Sequence, residues 1–342
     1  MSAQPDDLAD AELRQLWYTR CPVPTPLGLA AQLGWFNEEF AADGIQISTL
    51  QETEDATVRE SHYDHHLHNS FRQGGNVPPI WARAKGRETR VIGLNWVDEY
   101  QGILTLPGSG IQAPADLRGR RVALPRHHNS IDHSRASALR GVVVTLQLAG
   151  IDPKEVEFID ADYSDSPRAP AFTGGQRAAY GKEVEALLEK RVDAIFVKGS
   201  RGIEVTEQLK AHVVFDVRNH PDPRVRANNG APRPVTVDLH LLQTRPDIVT
   251  RFLKRIVDVG AWAVAHPGET VAYVARETGS READVRRAYG ADLHLRQVTD
   301  LAESSIVALE GYKNFLLQWG FLAQDFDVRN WIDPRPLAAL TK

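Results

Sequence analysis

The chain has 342 residues, enough for about two domains, and at 42% hydrophobic and 25% charged it has the composition of an ordinary globular protein. A net charge of −5 offers no general attraction to nucleic acid or to an anionic membrane. A single cysteine excludes an internal disulfide framework and a multi-cysteine zinc site, and it suits a reducing compartment.

The first twenty residues are acidic and polar, without a charged segment leading into an apolar one, so no secretory signal is read there. No apolar run approaches the ~18 residues of a membrane span, and the expected address is the cytoplasm. Residues 18–28, YTRCPVPTPLG, fence Cys21 with Pro22, Pro24 and Pro26, and regular structure is not expected there. Thr25 then caps a helix whose first turn takes Pro26. Leu29, Leu33, Phe36 and Phe40 recur at helical spacing until Gly44. A strand is expected over 45–50, a helix over 78–85, and strands over 90–96 and 100–106. After the turn PGSGI, a charged turn delivers a strand within 115–124, followed by a helix over 135–150 and a strand over 156–160. Residues 180–199 read as a helix passing into the strand DAIFV, with another strand over 212–218. Beyond a Pro-rich loop, 245–267 is a long amphipathic helix. Shorter helices follow over 268–279 and 281–290, and a last one over 300–319 offers Leu301, Ile306, Leu309, Leu316 and Leu317 to one face.

Strands alternating with helices predict an α/β fold with mostly parallel sheets. The turns near 107–110 and 220–234 are candidate crossings between two lobes, one discontinuous (1–106 plus 219–342) and one continuous (107–218). The element order, with ADLRGRRVAL, LLEKRVDAIFV and TRPDIVTRFLKRIVDVGAWAVAHPGETVAYVA, resembles a type II periplasmic-binding-protein-like fold. That resemblance implies a ligand cleft between two lobes.

Several residue types can carry chemistry in such a cleft. Cys21 is either a small buried hydrophobe or a reactive thiol, placed in a loop just before a helix N-terminus that favours anions. In HYDHHLHNSFRQGGNVPP, residues 62–79, Arg72 presents a planar fork before Gly74 and Gly75, which let backbone N–H groups approach an oxyanion. The bland alternative is an exposed arginine before a turn. His62 and His66 would share a helix face, but with no carboxylate in the HExxH position a metal is not expected; His65 and His68 read as solvated or polar-packed. RHHNSIDHSR, 126–135, either lines the cleft from the other lobe or forms a surface loop. Asp160, Asp162 and Asp165 read as solvated loop residues, and Trp262 and Trp319 as core. The glycine pairs 74–75 and 174–175 make no nucleotide-binding motif, and there is no GxSxG elbow.

CPVP, then His62 and Arg72 ten residues apart, then GG and PP, resemble the hydroxybiphenyl sulfinate desulfinase family. The resemblance runs over nearly the whole chain, including GADL near 290 and YKNFLLQWGFL near the end. It implies cleavage of an aryl carbon–sulfur bond with release of sulfite, without cofactor or metal. It implies Cys21 as the central residue, His62 as its hydrogen-bonding partner, Arg72 as the sulfinate anchor and Gly75 as a backbone donor. Gly74, Thr19 and Arg20 are counted with the substrate-binding residues. A small-molecule sulfinate is the only partner expected, and a monomer follows from the fold analogy. Two routes stay open: Cys21 protonates the carbon bearing sulfur, or its thiolate attacks the sulfur. Arg20, the His-rich stretch after His62 and the polar segment 126–135 depart from the family pattern and open the substrate to smaller or more polar sulfinates. The rival readings are a non-catalytic solute-binding protein for a sulfonate-like anion and a decarboxylase on the same scaffold.

Overall fold

A computed structural model describes residues 13–164 and 180–340. Asp165 and the Gly174–Gly175 pair lie outside the described residues. Eleven strands are present among the described residues: β1 Gln15–Arg20, β2 Gln46–Thr49, β3 Ser70–Gln73, β4 Thr89–Asn95, β5 Gln101–Thr105, β6 Arg121–Arg126, β7 Glu157–Asp162, β8 Ile195–Lys198, β9 His212–Asp216, β10 Arg233–Asp238 and β11 Thr299–Asp300. One sheet runs β11-β4-β10-β3-β1-β2. A second lobe contains β8-β5-β9 and the pair β6-β7, joined by a bridge between Val122 and Ala194.

The sheets are mixed rather than mostly parallel. β1 is parallel to β2 and β3, whereas β10 is antiparallel to both β3 and β4, and β5 is antiparallel to β8 and β9. The returning chain slots β10 between two earlier strands, a pairing that periodicity does not encode. β5, which a boundary at 106 assigns to the first lobe, pairs within the second. The first crossing therefore falls between Asn95 and Gln101, and the second between Asn219 and Arg233.

Thr25 caps the helix Pro26–Gln32, accepting from the Gly28 N–H, as its sequence position predicts. The expected continuous helix is broken at Gly34, whose φ of 79° is left-handed, and a second helix Trp35–Phe40 follows. Trp262 and Trp319 are half-buried against the two hydrophobic clusters rather than enclosed by them. Each of these clusters draws residues from both sheets, so the apolar interior is continuous from lobe to lobe.

Three aromatic rings stack beneath β3. Phe252, on the helix Pro246–Ala265, lies between Phe36 and Phe71 with centroids 4.0 Å and 3.8 Å apart and ring planes within 4°. Phe71 immediately precedes Arg72, so this stack supports the strand that carries the guanidinium. Phe252→Ala is expected to cost about 3–5 kcal/mol in urea unfolding, because the planar slot between two rings cannot collapse.

Candidate active site

The carboxyl ends of β1 and β3, and the helix Ala56–Asp64 that links β2 to β3, converge on one spot. This is the edge of a sheet where parallel strands leave room for a ligand. Cys21 follows β1 directly and extends its ladder by one bond, its N–H donating to Gln73 O at 3.3 Å. The Gln73 side chain in turn accepts from the Leu27 N–H at 2.8 Å, fixing the start of the next helix. Gly74 permits the thiol to sit where it does: a Cβ there would fall 2.3 Å from Cys21 Sγ and 3.1 Å from its backbone nitrogen.

His62 lies on the linking helix with its Nε2 3.7 Å from Cys21 Sγ and its Nδ1 2.8 Å from Thr19 Oγ1. Thr19 is one pleat ahead of Cys21, on the same face of the strand, so strand geometry aims both at the imidazole. Burial, and then the nearby Arg72 charge, hold His62 well below the usual imidazole range, so it is neutral. His65 is held low by burial and by Arg72 and Arg87.

Arg72 is 3% exposed and sits on β3, not in an exposed turn. Its Nε donates to His62 O at 3.1 Å, Nη1 to Gly75 O at 2.8 Å, and Nη2 points at Cys21 Sγ from 3.6 Å. The guanidinium is thus not an open fork. It ties the imidazole backbone, the glycine turn and the sulfur to one another, leaving the remaining Nη1 and Nη2 protons for an anion.

Arg20, by contrast, turns away. Strand alternation sends it to Glu277, at 2.7 Å, and toward the Tyr18 hydroxyl, at 3.3 Å, while Gln51 donates to its carbonyl. Its charge is spent on the body of the first lobe.

The other histidines separate. The helix ends at Asp64, and His65 caps it in a left-handed conformation, so His66 does not share a helix face with His62. His66 pairs with Asp64 at 2.6 Å, and His68 lies 3.8 Å from Asp238. Among the described residues no cluster of three or more His, Cys, Asp or Glu is placed to hold a metal ion. The segment 126–135 does reach the first lobe: His133, opening the helix His133–Leu148, stacks on Tyr63 with centroids 6.2 Å apart, and Ser130 bonds Glu60. His133 is pushed down to about 4, chiefly by burial and then by His127, Lys198 and Arg72. Asp160 and Asp162 lie on β7 and are paired, Asp160 with Arg126 and Arg135, Asp162 with His128.

Residues without any sequence motif complete the site. Asn76 donates to Asn228 O and Pro232 O, and Asn229 accepts from Val77 N–H, pinning the turn after Gly75 to the second lobe crossing. The run NNG before Pro232 signals a turn, but nothing local says where that turn lands.

Residues 22–181 match the family described as NMT1/THI5 like. The chain is 26% identical to 2'-hydroxybiphenyl-2-sulfinate desulfinase of Rhodococcus erythropolis, over 97% of this chain and 95% of the relative. Among solved structures it is similar to the desulfurization enzyme DSZB, with TM-score 0.74, 25% identity, and 95% of this chain and 98% of that one covered. It is also similar in fold to the periplasmic aliphatic sulphonate binding protein SsuA of Escherichia coli, with TM-score 0.66, 15% identity, and 94% and 92% covered. The expected two-lobed binding-protein fold and the resemblance to the desulfinases are both found. Among the described residues no helix is long and apolar enough to cross a membrane.

The three buried imidazoles predict an acid limit. The folded pKa values of His62, His65 and His133 lie below the unfolded value near 6.5, so the unfolded chain binds the extra protons. Stability is therefore full above about pH 6.5 and is lost as pH falls toward 4. Urea midpoints between pH 8 and pH 4.5 should fall accordingly, and His65→Gln should flatten the slope.

Proposed function

We propose that this protein is a desulfinase: it cleaves the carbon–sulfur bond of a sulfinate with water and releases sulfite. The observation that carries the reading is the convergence of Cys21 with a buried cation and a neutral imidazole, in a chain similar along its length to a desulfinase. A solute-binding protein for sulfonates shares the fold, but an anion site alone has no use for a thiol held between an imidazole and a guanidinium.

The geometry favours the proton-donor route. Burial keeps His62 from holding an extra proton, which disfavours a stored thiolate–imidazolium pair. In this route the Thr19 hydroxyl is assigned as donor to Nδ1, so that His62 carries its proton on Nε2 and turns it to Sγ, as Arg72 Nη2 does. The S–H is then free for the substrate carbon. The sulfinate anion binds over Arg72 and the N–H groups of the glycine turn. The thiol protonates the carbon bearing sulfur, the C–S bond electrons close the C–H bond, and sulfur leaves as SO2. Arg72 and His62 stabilise the thiolate this creates. Water adds to SO2 to give hydrogen sulfite, and the proton released restores the thiol, so the sum is sulfinate plus water to desulfinated product plus hydrogen sulfite. We read the protein as a cytoplasmic monomer that works without cofactor. Arg20, being spent on Glu277, contributes through the body of the lobe rather than through the anion.

A screen of aryl and alkyl sulfinates for sulfite release tests the reading. Cys21→Ser should abolish release while keeping the parental melting temperature, and a Cys21→Ser protein with normal turnover overturns the assignment. Arg72→Lys keeps the charge but cannot hold His62 O, Gly75 O and the sulfur together, and turnover should fall roughly 100-fold or more. Thr19→Val, which removes control of the His62 tautomer, should lower turnover roughly 10-fold with little change in KM.

A further inference from the structure

Asn229 lies in the second crossing between the lobes, in a turn closed by reciprocal backbone bonds between Asn228 and Ala231 at 3.0 and 3.1 Å. That turn is fixed from three sides. The Asn228 carboxamide is spent on Gln101 Oε1, Ser137 O and the Asn229 N–H. Gly230 is pressed on Glu99, so that a Cβ there would fall 1.6 Å from Oε1. The Asn229 carbonyl accepts from the Asn76 N–H at 2.9 Å.

The side chain of Asn229 is oriented by chemistry. Its Oδ1 lies 3.0 Å from the Val77 N–H, and a backbone N–H only donates, so the atom facing Val77 is the oxygen. Nδ2 is left over. Asn229 is only 9% exposed, yet Nδ2 makes no hydrogen bond among the described residues and is not sealed from solvent. The carboxamide rests on Gly75, where a Cβ would fall 2.6 Å from Oδ1 and 2.8 Å from Nδ2, while Gly74 abuts Cys21 Sγ. The two glycines therefore separate a thiol from an unpaired, preoriented donor.

We infer that Asn229 is a substrate-binding residue whose Nδ2 hydrogen-bonds one oxygen of the sulfinate presented to Cys21. An amide N–H pair that is already oriented and reached only by solvent can exchange a water for a charged acceptor at little ordering cost, and a sulfinate oxygen is an acceptor of that kind. This assignment rests on the desulfinase reading, and the test separates the two.

Benzenesulfinate and biphenyl-2-sulfinate are titrated calorimetrically into Cys21→Ser protein, which removes turnover. A protein that binds neither these nor any alkyl sulfinate of the screen above overturns both the function and the role of Asn229. Adding Asn229→Asp keeps the oxygen that Val77 needs but replaces the donor with a like charge; Kd should rise roughly 100-fold at an unchanged melting temperature. Adding Asn229→Ser keeps an acceptor for Val77 without the amide donor and should raise Kd roughly 10-fold. Parental affinity in a folded Asn229→Asp protein overturns the assignment while leaving the desulfinase reading intact. If Asn229→Asp does not fold, the Asn229→Ser titration decides it by the same criterion.

Discussion

The site depends on a guanidinium buried without a carboxylate. The hydrogen bonds of Arg72 run to two carbonyls and a sulfur. Desolvating a cation costs several kcal/mol unless it is compensated. Here the compensation is partial dipoles, with unspent attraction left for an anion. Burial chiefly, and the same charge beside it, lower the proton affinity of His62, His65 and His133, so the imidazoles around the thiol stay neutral. Burial and this one arginine act in the same direction on the pocket's imidazoles. The Phe36–Phe252–Phe71 stack keeps that arginine in place by fixing the strand it stands on.

Much of this was legible before any coordinates. Thr25 before Pro26 marks a helix start because its hydroxyl satisfies an otherwise orphaned N–H. Cys21, His62, Arg72 and Gly74–Gly75 stand out as a spaced set, and Gly74 proves to be a steric requirement of the thiol. What stayed hidden has physical causes. β1 and β3 are short strands that mix polar and apolar residues, so the alternation that reveals a strand is weak. The antiparallel insertion of β10 is a long-range pairing with no local signature. Arg20 next to Cys21 suggested a shared pocket, yet adjacent strand residues point to opposite faces, and Glu277, far along the chain, claims it. Asn229 carries no motif at all; only the folded turn brings it to Gly75.

The fold is shared with a sulphonate-binding protein. To that fold the proposed reaction adds one demand, a proton source within reach of the carbon bearing sulfur, which the proposal assigns to Cys21 and to the glycine that makes room for it. Facing the first lobe, the second lobe presents His133 against Tyr63, and nearby Asp160 and Asp162 hold polar pairs.

The two hydrophobic clusters that each span both sheets bear on how such enzymes diversify. A lobe whose apolar interior is finished by its neighbour is not a cassette. Swapping the second lobe, from Gln101 to Asn219, for the matching piece of a relative would expose apolar surface of both clusters unless the facing residues were exchanged with it. New substrate ranges in this scaffold should therefore arise by point changes and not by recombination of whole lobes.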